Sequence, residues 1–335
     1  MVLVTGGTGL VGSHLLLELV KTGISTRAIY RSETKLREVK KVFGYYTENP
    51  DELFERIEWV IADILDIPAL TEAFEGITHV YHAAALISFD PNDFNRLQKT
   101  NVEGTANVVN LCIANNVKKL CYVSTIGTIG RSTGDTKANE ETEWSAMNTN
   151  VYSISKHMAE MEVWRGSQES LSVVIVNPGV IIGPGFWETG SGKLFKTVNK
   201  GYGFYPPGGT GFVSVNDVVR GMIRLMNSPI VNERYIMVAE NLSFKSILAK
   251  IAPKLGEKTP GKVLKIWQLQ IARYGDWLVN LLTRRGRRIT RNTIYSLKNP
   301  EYYDNSKIKT ILNFKFEPLE KSIAFSAAKF IEQHQ

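Results

Sequence analysis

The chain has 335 residues, 43% of them hydrophobic, with 40 lysines and arginines against 33 acidic residues and a net charge of +7. That is enough apolar material for a large core, and about 100–200 residues per domain suggests two domains. No run approaches the roughly 18 consecutive apolar residues of a membrane span, and Met1 leads straight into an apolar strand without a charged leader, so a cytoplasmic location is expected. Cys112 and Cys121 have neither metal-ligand nor redox-motif spacing and read as buried free thiols, so no metal is expected.

The first apolar run, 2–5, passes into Thr5-Gly6-Gly7-Thr8-Gly9-Leu10-Val11-Gly12 and then a helical pattern through Leu15, Leu16, Leu19 and Val20. Strand, glycine turn and helix in that order favour a dinucleotide site over an ordinary tight turn. Gly6, Thr8, Gly9, Leu10 and Val11 are expected to hold its phosphates, because glycine lets oxygens approach the backbone and a helix start offers free N–H groups. Gly12 reads as close helix-to-strand packing.

The second run, 27–30, ends in Tyr30-Arg31-Ser32, followed by Lys35 and Arg37, where an NAD enzyme would place a carboxylate for the ribose 2′-OH. Arg31 offers a planar fork of donors and Ser32 a hydroxyl to a 2′-phosphate, so NADP(H) is favoured and NAD(H) is the alternative. The competing reading is a solvated basic helix start. The third run, 58–62, leads to Asp63-Ile64, and the fourth, 79–84, to Ala83-Ala84-Ala85, small residues against which a ribose can lie. His82, inside an apolar run, reads as a packed core histidine rather than an acid or base.

The fifth run, 120–124, leads to Thr125. After a polar stretch at 131–150, a candidate rim, comes Tyr152-Ser153-Ile154-Ser155-Lys156 in a helical pattern that continues through His157, Ala159 and Glu160. Spacing of four puts Tyr152 and Lys156 on one face, where an ammonium can lower a phenol pKa of about 10. Tyr152 is therefore the expected catalytic acid, Lys156 its partner, and Thr125 the donor that orients a substrate oxygen.

A sixth run at 173–176 completes alternating strands and helices that imply a parallel sheet covered on both faces. Past Gly183 glycine and proline cluster, with further strands expected at 213–215 and 235–238. The expected organisation is a doubly wound α/β dinucleotide-binding domain over 1–183, with 211–240 packing back onto it, and a mainly substrate-binding region over 184–335. Residues 266–282 are apolar and aromatic at near-helical spacing and turn basic from Arg284 through Arg285, Arg287, Arg288 and Arg291. They form a lid, a membrane-surface helix, or a plain core cover with solvated charges.

These motifs together resemble the extended short-chain dehydrogenases over nearly the whole chain: Thr5-Gly6-x-x-Gly9-x-x-Gly12, Asp63-Ile64, His82-Ala83-Ala84, Asn101-Val102-Glu103-Gly104-Thr105, Ser124-Thr125, Tyr152-x-x-x-Lys156 and Asn177-Pro178-Gly179. The resemblance implies an NAD(P)-binding Rossmann fold and a homodimer through paired helices. It also implies that Asn101 supports a proton relay and that Pro178 and the backbone after it, with Val180, border the nicotinamide.

Ile126-Gly127 stand where family 4,6-dehydratases carry Asp-Glu, and the stretch before Asp217 lacks the arginine of sugar-nucleotide epimerases. The Arg31-Ser32, Asn177-Pro178-Gly179 and Tyr302-Tyr303-Asp304-Asn305-Ser306-Lys307 segments look like the dihydroflavonol reductase and 3β-hydroxysteroid dehydrogenase branch. The implied activity is an NADP(H)-dependent ketone or aldehyde to alcohol interconversion on a small, largely apolar substrate, with no nucleic-acid partner. The alternatives are a nucleotide-sugar epimerase or dehydratase with tightly bound NAD, or a non-catalytic NADP-sensing protein.

Overall fold

The computed structural model describes residues 1–131, 136–283, 287 and 289–334. Arg284, Arg285 and Arg288 of the basic run lie outside the described residues.

The Val- and Ile-rich runs form strands β1 (Val2–Thr5), β2 (Thr26–Tyr30), β3 (Ile57–Ile61), β4 (His79–His82), β5 (Lys119–Val123) and β6 (Val173–Pro178). The later chain adds β7 (Val180–Ile182), β8 (Phe204–Tyr205), β9 (Gly209–Ser214), β10 (Glu233–Met237), β11 (Glu240–Ser243) and β12 (Lys262–Val263). Seven of them make a parallel sheet in the order β10-β6-β5-β4-β1-β2-β3. The chain winds outward from β1 through β2 and β3, then restarts at β4 and winds the other way. A reversal of this kind opens a crevice at the carboxyl ends of β1 and β4.

Alternation along the strands splits the core in two. Val4, Tyr81, Cys121, Val174 and Tyr235 pack with Leu15, Leu16 and Leu19 on one face. Leu3, Val80, Leu120, Tyr122 and Val173 pack with Val108, Val109, Cys112 and Val163 on the other. Both cysteines are buried and free, and burial raises the pKa of each thiol. A third cluster joins Ile182, Trp187, Phe195, Phe212, Ile247 and Phe330 beneath a smaller sheet in the order β11-β9-β7. Helix Val215–Met226 returns to the first core through Val218, Val219, Met222 and Leu225, and Ile308 and Phe314 join it there.

Most strand ends differ from expectation by one or two residues, and two strands differ in an informative way. The run at 79–84 is a strand only as far as His82, although the Ala83 nitrogen still donates to the Thr5 carbonyl at 3.1 Å. The strand expected at 213–215 runs from Gly209 to Ser214. Its glycines read as turns, but a Cβ on Gly211 would come within 2.5 Å of Val238, so glycine there reflects close approach to the next segment. No helix among the described residues is long and apolar enough to cross a membrane.

Candidate active site

The glycine turn is locked onto the end of β4. Gly6 takes the left-handed conformation, φ 71°, and any Cβ there would lie 2.5 Å from the Ala84 nitrogen. A Cβ on Gly12 would meet the Gly6 oxygen at 2.1 Å, so helix Leu10–Lys21 starts hard against the turn. Gly9 is its N-cap, with no side-chain cap and no acidic residue in the first turn. The N–H groups around Leu10 and Val11 therefore suit an anion, and the turn with Thr8 fits the pyrophosphate of a dinucleotide.

Arg31 leaves the end of β2 exposed to solvent, its Nη1 3.2 Å from Asp63 Oδ2 beyond the neighbouring β3. Ser32 Oγ lies 2.8 Å from Thr34 Oγ1. Asp63 Oδ1 accepts from the Leu65 nitrogen at 3.0 Å. The Ile64 side chain is turned into the core, where a Cβ on Gly104 would touch it, and Asn107 donates to its carbonyl at 2.9 Å. Ala83 and Ala84 follow β4 beside Thr5, and Ala85 is exposed. His82 is wholly buried, with Nδ1 2.6 Å from Thr5 Oγ1 and Nε2 2.9 Å from Thr105 Oγ1. Burial, reinforced by the charge of Lys156, lowers its pKa to about 3, so the ring is neutral.

At the end of β5, Thr125 caps a short 3-10 turn, Ile126–Thr128, and its Oγ1 accepts from the Gly127 nitrogen at 3.2 Å. This turn sits directly on helix Val151–Gln168, for a Cβ on Gly127 would lie 2.3 Å from Ser153 Oγ. Asn150 starts the helix by accepting from the Ser153 nitrogen at 2.9 Å, which places Tyr152 in the first turn. Tyr152 is half-buried, and Phe89 meets its ring edge-on at 5.7 Å. Burial pushes its phenol up to about 12.

Lys156 is buried one turn on, where its ammonium donates to Tyr122 Oη at 2.6 Å and to the Val123 carbonyl at 2.8 Å. Burial pulls its pKa down to about 7, and the Glu160 carboxylate opposes that fall. The expected pairing of ammonium with phenol thus differs here: the lysine's hydrogen bonds go to Tyr122 and Val123, and desolvation dominates at Tyr152.

Asn101 lies in a π-helical stretch, Gln98–Glu103, a distortion common at functional sites. Its Nδ2 donates to the Leu86 carbonyl at 3.0 Å and to Ser155 Oγ at 2.9 Å, and its Oδ1 accepts from the Leu86 nitrogen at 2.7 Å. It joins the loop after β4 to the Tyr152 helix. Pro178 is buried at the end of β6, and Val180 lies half-buried in β7.

Two residues the sequence reading passed over complete this framework. Tyr122 is one. The other is Glu160, fully buried, whose Oε2 accepts from Ser124 Oγ at 2.5 Å, Thr128 Oγ1 at 2.7 Å and Asn177 Nδ2 at 3.1 Å, while Oε1 accepts from Arg234 at 3.1 Å. It ties the Thr125 turn, β6 and β10 to the helix of Tyr152 and Lys156. The available signal was spacing, since Glu160 lies four residues past Lys156.

The rim is stapled from the far end of the chain. Arg131 pairs with Glu301 at 2.8 Å and donates to the Met147 and Asn148 carbonyls. Tyr303 bridges to Ala138 and exchanges hydrogen bonds with Asn241, and Asn305 donates to the Val238 carbonyl at 2.5 Å. The Arg287 nitrogen donates to Asp90 at 2.8 Å, and Asn292 donates to the Thr149 carbonyl at 2.8 Å.

Residues 2–237 match the NAD dependent epimerase/dehydratase family. The tetraketide alpha-pyrone reductase 2 of Arabidopsis thaliana is 30% identical over 70% of this chain and 76% of its own. The sterol demethylase protein B of Methylococcus capsulatus is 26% identical over 99% of this chain and 98% of its own. The crystal structure of gox2253 superposes with a TM-score of 0.82 at 26% identity, covering 100% of this chain and 98% of that one.

Proposed function

The chain belongs to the NAD dependent epimerase/dehydratase family, and on that premise we propose that it interconverts a ketone or aldehyde and the corresponding alcohol on a small, largely apolar substrate, using NADP(H). It is an oxidoreductase of the extended short-chain dehydrogenase/reductase type, acting on CH–OH groups. The observation that carries the substrate class is the edge-on contact of Phe89 with Tyr152, which sets apolar surface directly against the phenol.

In this reading the glycine turn of Gly6, Thr8, Gly9, Leu10 and Val11 holds the pyrophosphate, and Arg31 with Ser32 holds the 2′-phosphate. Asp63, Ile64 and Ala83–85 line the adenosine half, and Pro178 and Val180 border the nicotinamide. The bound cofactor supplies or takes the hydride. Thr125 and Tyr152 hydroxyls bind the substrate oxygen, and Tyr152 gives it the proton in the reducing direction. An ammonium has three donors, and two of those of Lys156 are taken by Tyr122 and Val123. The third serves the nicotinamide ribose. Asn101 keeps the loop after β4 in register with the catalytic helix and supports the relay of protons.

Residues 1–183, with 211–240, then form the cofactor-binding unit and 184–335 mainly the substrate region, in a protein that pairs as a homodimer. The dehydratase alternative needs an acidic pair at 126–127, where Ile126 and Gly127 stand, and a side chain at 127 would have to displace the Ser153 hydroxyl. An epimerase grip on a diphosphate finds buried Phe212 and Asp217 before and in helix Val215–Met226, and Asp217 is already paired with Arg220.

The test is binding of NADPH and NADH to the purified protein, then turnover of each against ketones, aldehydes and nucleotide sugars. NADPH consumption with apolar carbonyls supports the reading. Tightly held NAD with activity on nucleotide sugars alone contradicts it.

A further inference from the structure

Helix Ile266–Thr283 is two-sided in an unusual way. Leu269 and Asp276 face inward, and Asp276 accepts from the Ile289 nitrogen at 3.1 Å. On the opposite side Trp267, Ile271, Tyr274, Trp277 and Leu281 are between 48% and 63% exposed. At about 100° per residue these five fall within an arc of about 120°, a continuous aromatic and aliphatic stripe. Phe204 and Val263 of the paired β8 and β12 are exposed as well, and β12 directly precedes the helix in sequence. Contiguous exposed apolar surface of this kind marks an interaction site.

The surrounding charge says what covers it. In sequence, residues 258–291 contain nine lysines and arginines and one acid, Asp276, whereas the rest of the chain has 31 cations against 32 acids. The whole positive excess of the protein therefore belongs to this segment. Among the described cations Lys258, Lys262 and Lys265 are exposed, and Arg273 is half-exposed on the helix itself.

We propose that this face docks on an anionic lipid bilayer, with the helix lying in the interface and its stripe of Trp, Ile, Tyr and Leu side chains inserted below the headgroups. An apolar stripe flanked by cations suits such a surface. A second copy would bring like charges together across a two-fold axis, and a nucleic-acid backbone would meet aliphatic side chains. The chain leaving this helix reaches the active-site mouth, where the Arg287 nitrogen donates to Asp90, next to Phe89 and its contact with Tyr152. Docking therefore places on the bilayer a helix whose following segment is tied to the mouth, and a route for an apolar substrate from lipid rests on the reaction proposed above; the docking does not.

The experiment is cosedimentation of the full chain with vesicles of phosphatidylcholine containing about 30% phosphatidylglycerol, and with phosphatidylcholine alone, at about 0.1 M salt. Two triple variants accompany it, Trp267→Ser/Ile271→Ser/Leu281→Ser and Lys262→Gln/Lys265→Gln/Arg273→Gln. Binding to the anionic vesicles is expected, with at least tenfold weaker binding in the apolar variant and about fivefold loss per removed cation in the other. Turnover of a water-soluble carbonyl compound is expected to stay unchanged in both. Wild-type protein left in the supernatant with anionic vesicles, or variants that bind as wild type, overturns the proposal. So does a dimer that the serine variant dissociates without any vesicle binding, or retention on duplex DNA in its place. Vesicle binding by a protein that turns over no carbonyl compound contradicts the proposed reaction and leaves the docking standing.

Discussion

The Lys156 ammonium is held 2.6 Å from the Tyr122 phenol, buried between helix Val151–Gln168 and strand β5. Burial keeps the Tyr122 phenol protonated, its pKa well above the usual 10, so it meets the lysine as a neutral acceptor. Tyr122→Phe leaves one ammonium donor without that acceptor in a buried site. The expected result is a kcat lowered about tenfold with cofactor affinity little changed, and an alkaline limb of the rate profile moved toward acid. Steady-state kinetics across pH check both effects; an unchanged profile would leave Tyr122 a packing residue only.

The same lysine makes stability depend on pH in a definite sense. Its pKa is lowered from 10.5 to about 7 by burial, so between those values the unfolded chain binds more protons than the folded one. Stability from this group therefore rises with pH from about 7 to about 10.5, and the buried charge is fully penalised below 7. Lys156→Met lacks this dependence. Its melting temperature relative to wild type, measured on cofactor-free protein, should be highest below pH 7 and fall steadily toward pH 10.

Glu160 joins four elements through Ser124, Thr128, Asn177 and Arg234. Glu160→Gln leaves the Arg234 guanidinium, itself largely buried, without its counter-charge, for a destabilisation of about 3 kcal/mol. Adding Arg234→Met should recover part of that loss in urea unfolding, since it removes the stranded charge. Turnover should stay low in the double variant, because a neutral amide holds Ser124, Thr128 and Asn177 more weakly than the carboxylate and loosens the Thr125 turn on the Tyr152 helix.

The Arg31–Asp63 pair lies at the ends of β2 and β3, open to solvent. Arg31→Ala should weaken NADPH binding at least tenfold while leaving NADH binding within about twofold, consistent with the loss of a charge-assisted contact to phosphate. Titration of the two cofactors by fluorescence separates these outcomes. Equal loss for both would make Arg31 a general rim charge.

How much of this was legible in the sequence follows from what periodicity can carry. The glycine turn and Tyr152-x-x-x-Lys156 are local patterns, and the parallel sheet follows from alternating strand and helix signals. Glu160 and Tyr122 were readable only as members of a helix and a strand, because their partners come from segments up to 74 residues away. Arg31 meets Asp63 only because β2 and β3 are neighbours. Of the small sheet only the end of β9 was readable, at 213–215, since Gly209 and Gly211 carry a turn signal, although close packing against the segment after β10 selects them. The exposed stripe at 267–281 had a visible period, but whether it faced core or solvent was a question for the fold.

The most direct test of the account is Tyr152→Phe. Binding of NADPH to the variant and its single-turnover rate with an apolar ketone are measured beside wild type. Cofactor affinity should stay within about twofold of wild type and the rate should fall by about 10²–10⁴, the range of a lost general acid. Full turnover with intact binding would contradict it, because the proton would then come from another group and the arrangement of Thr125, Tyr152 and Lys156 would not be the seat of the reaction.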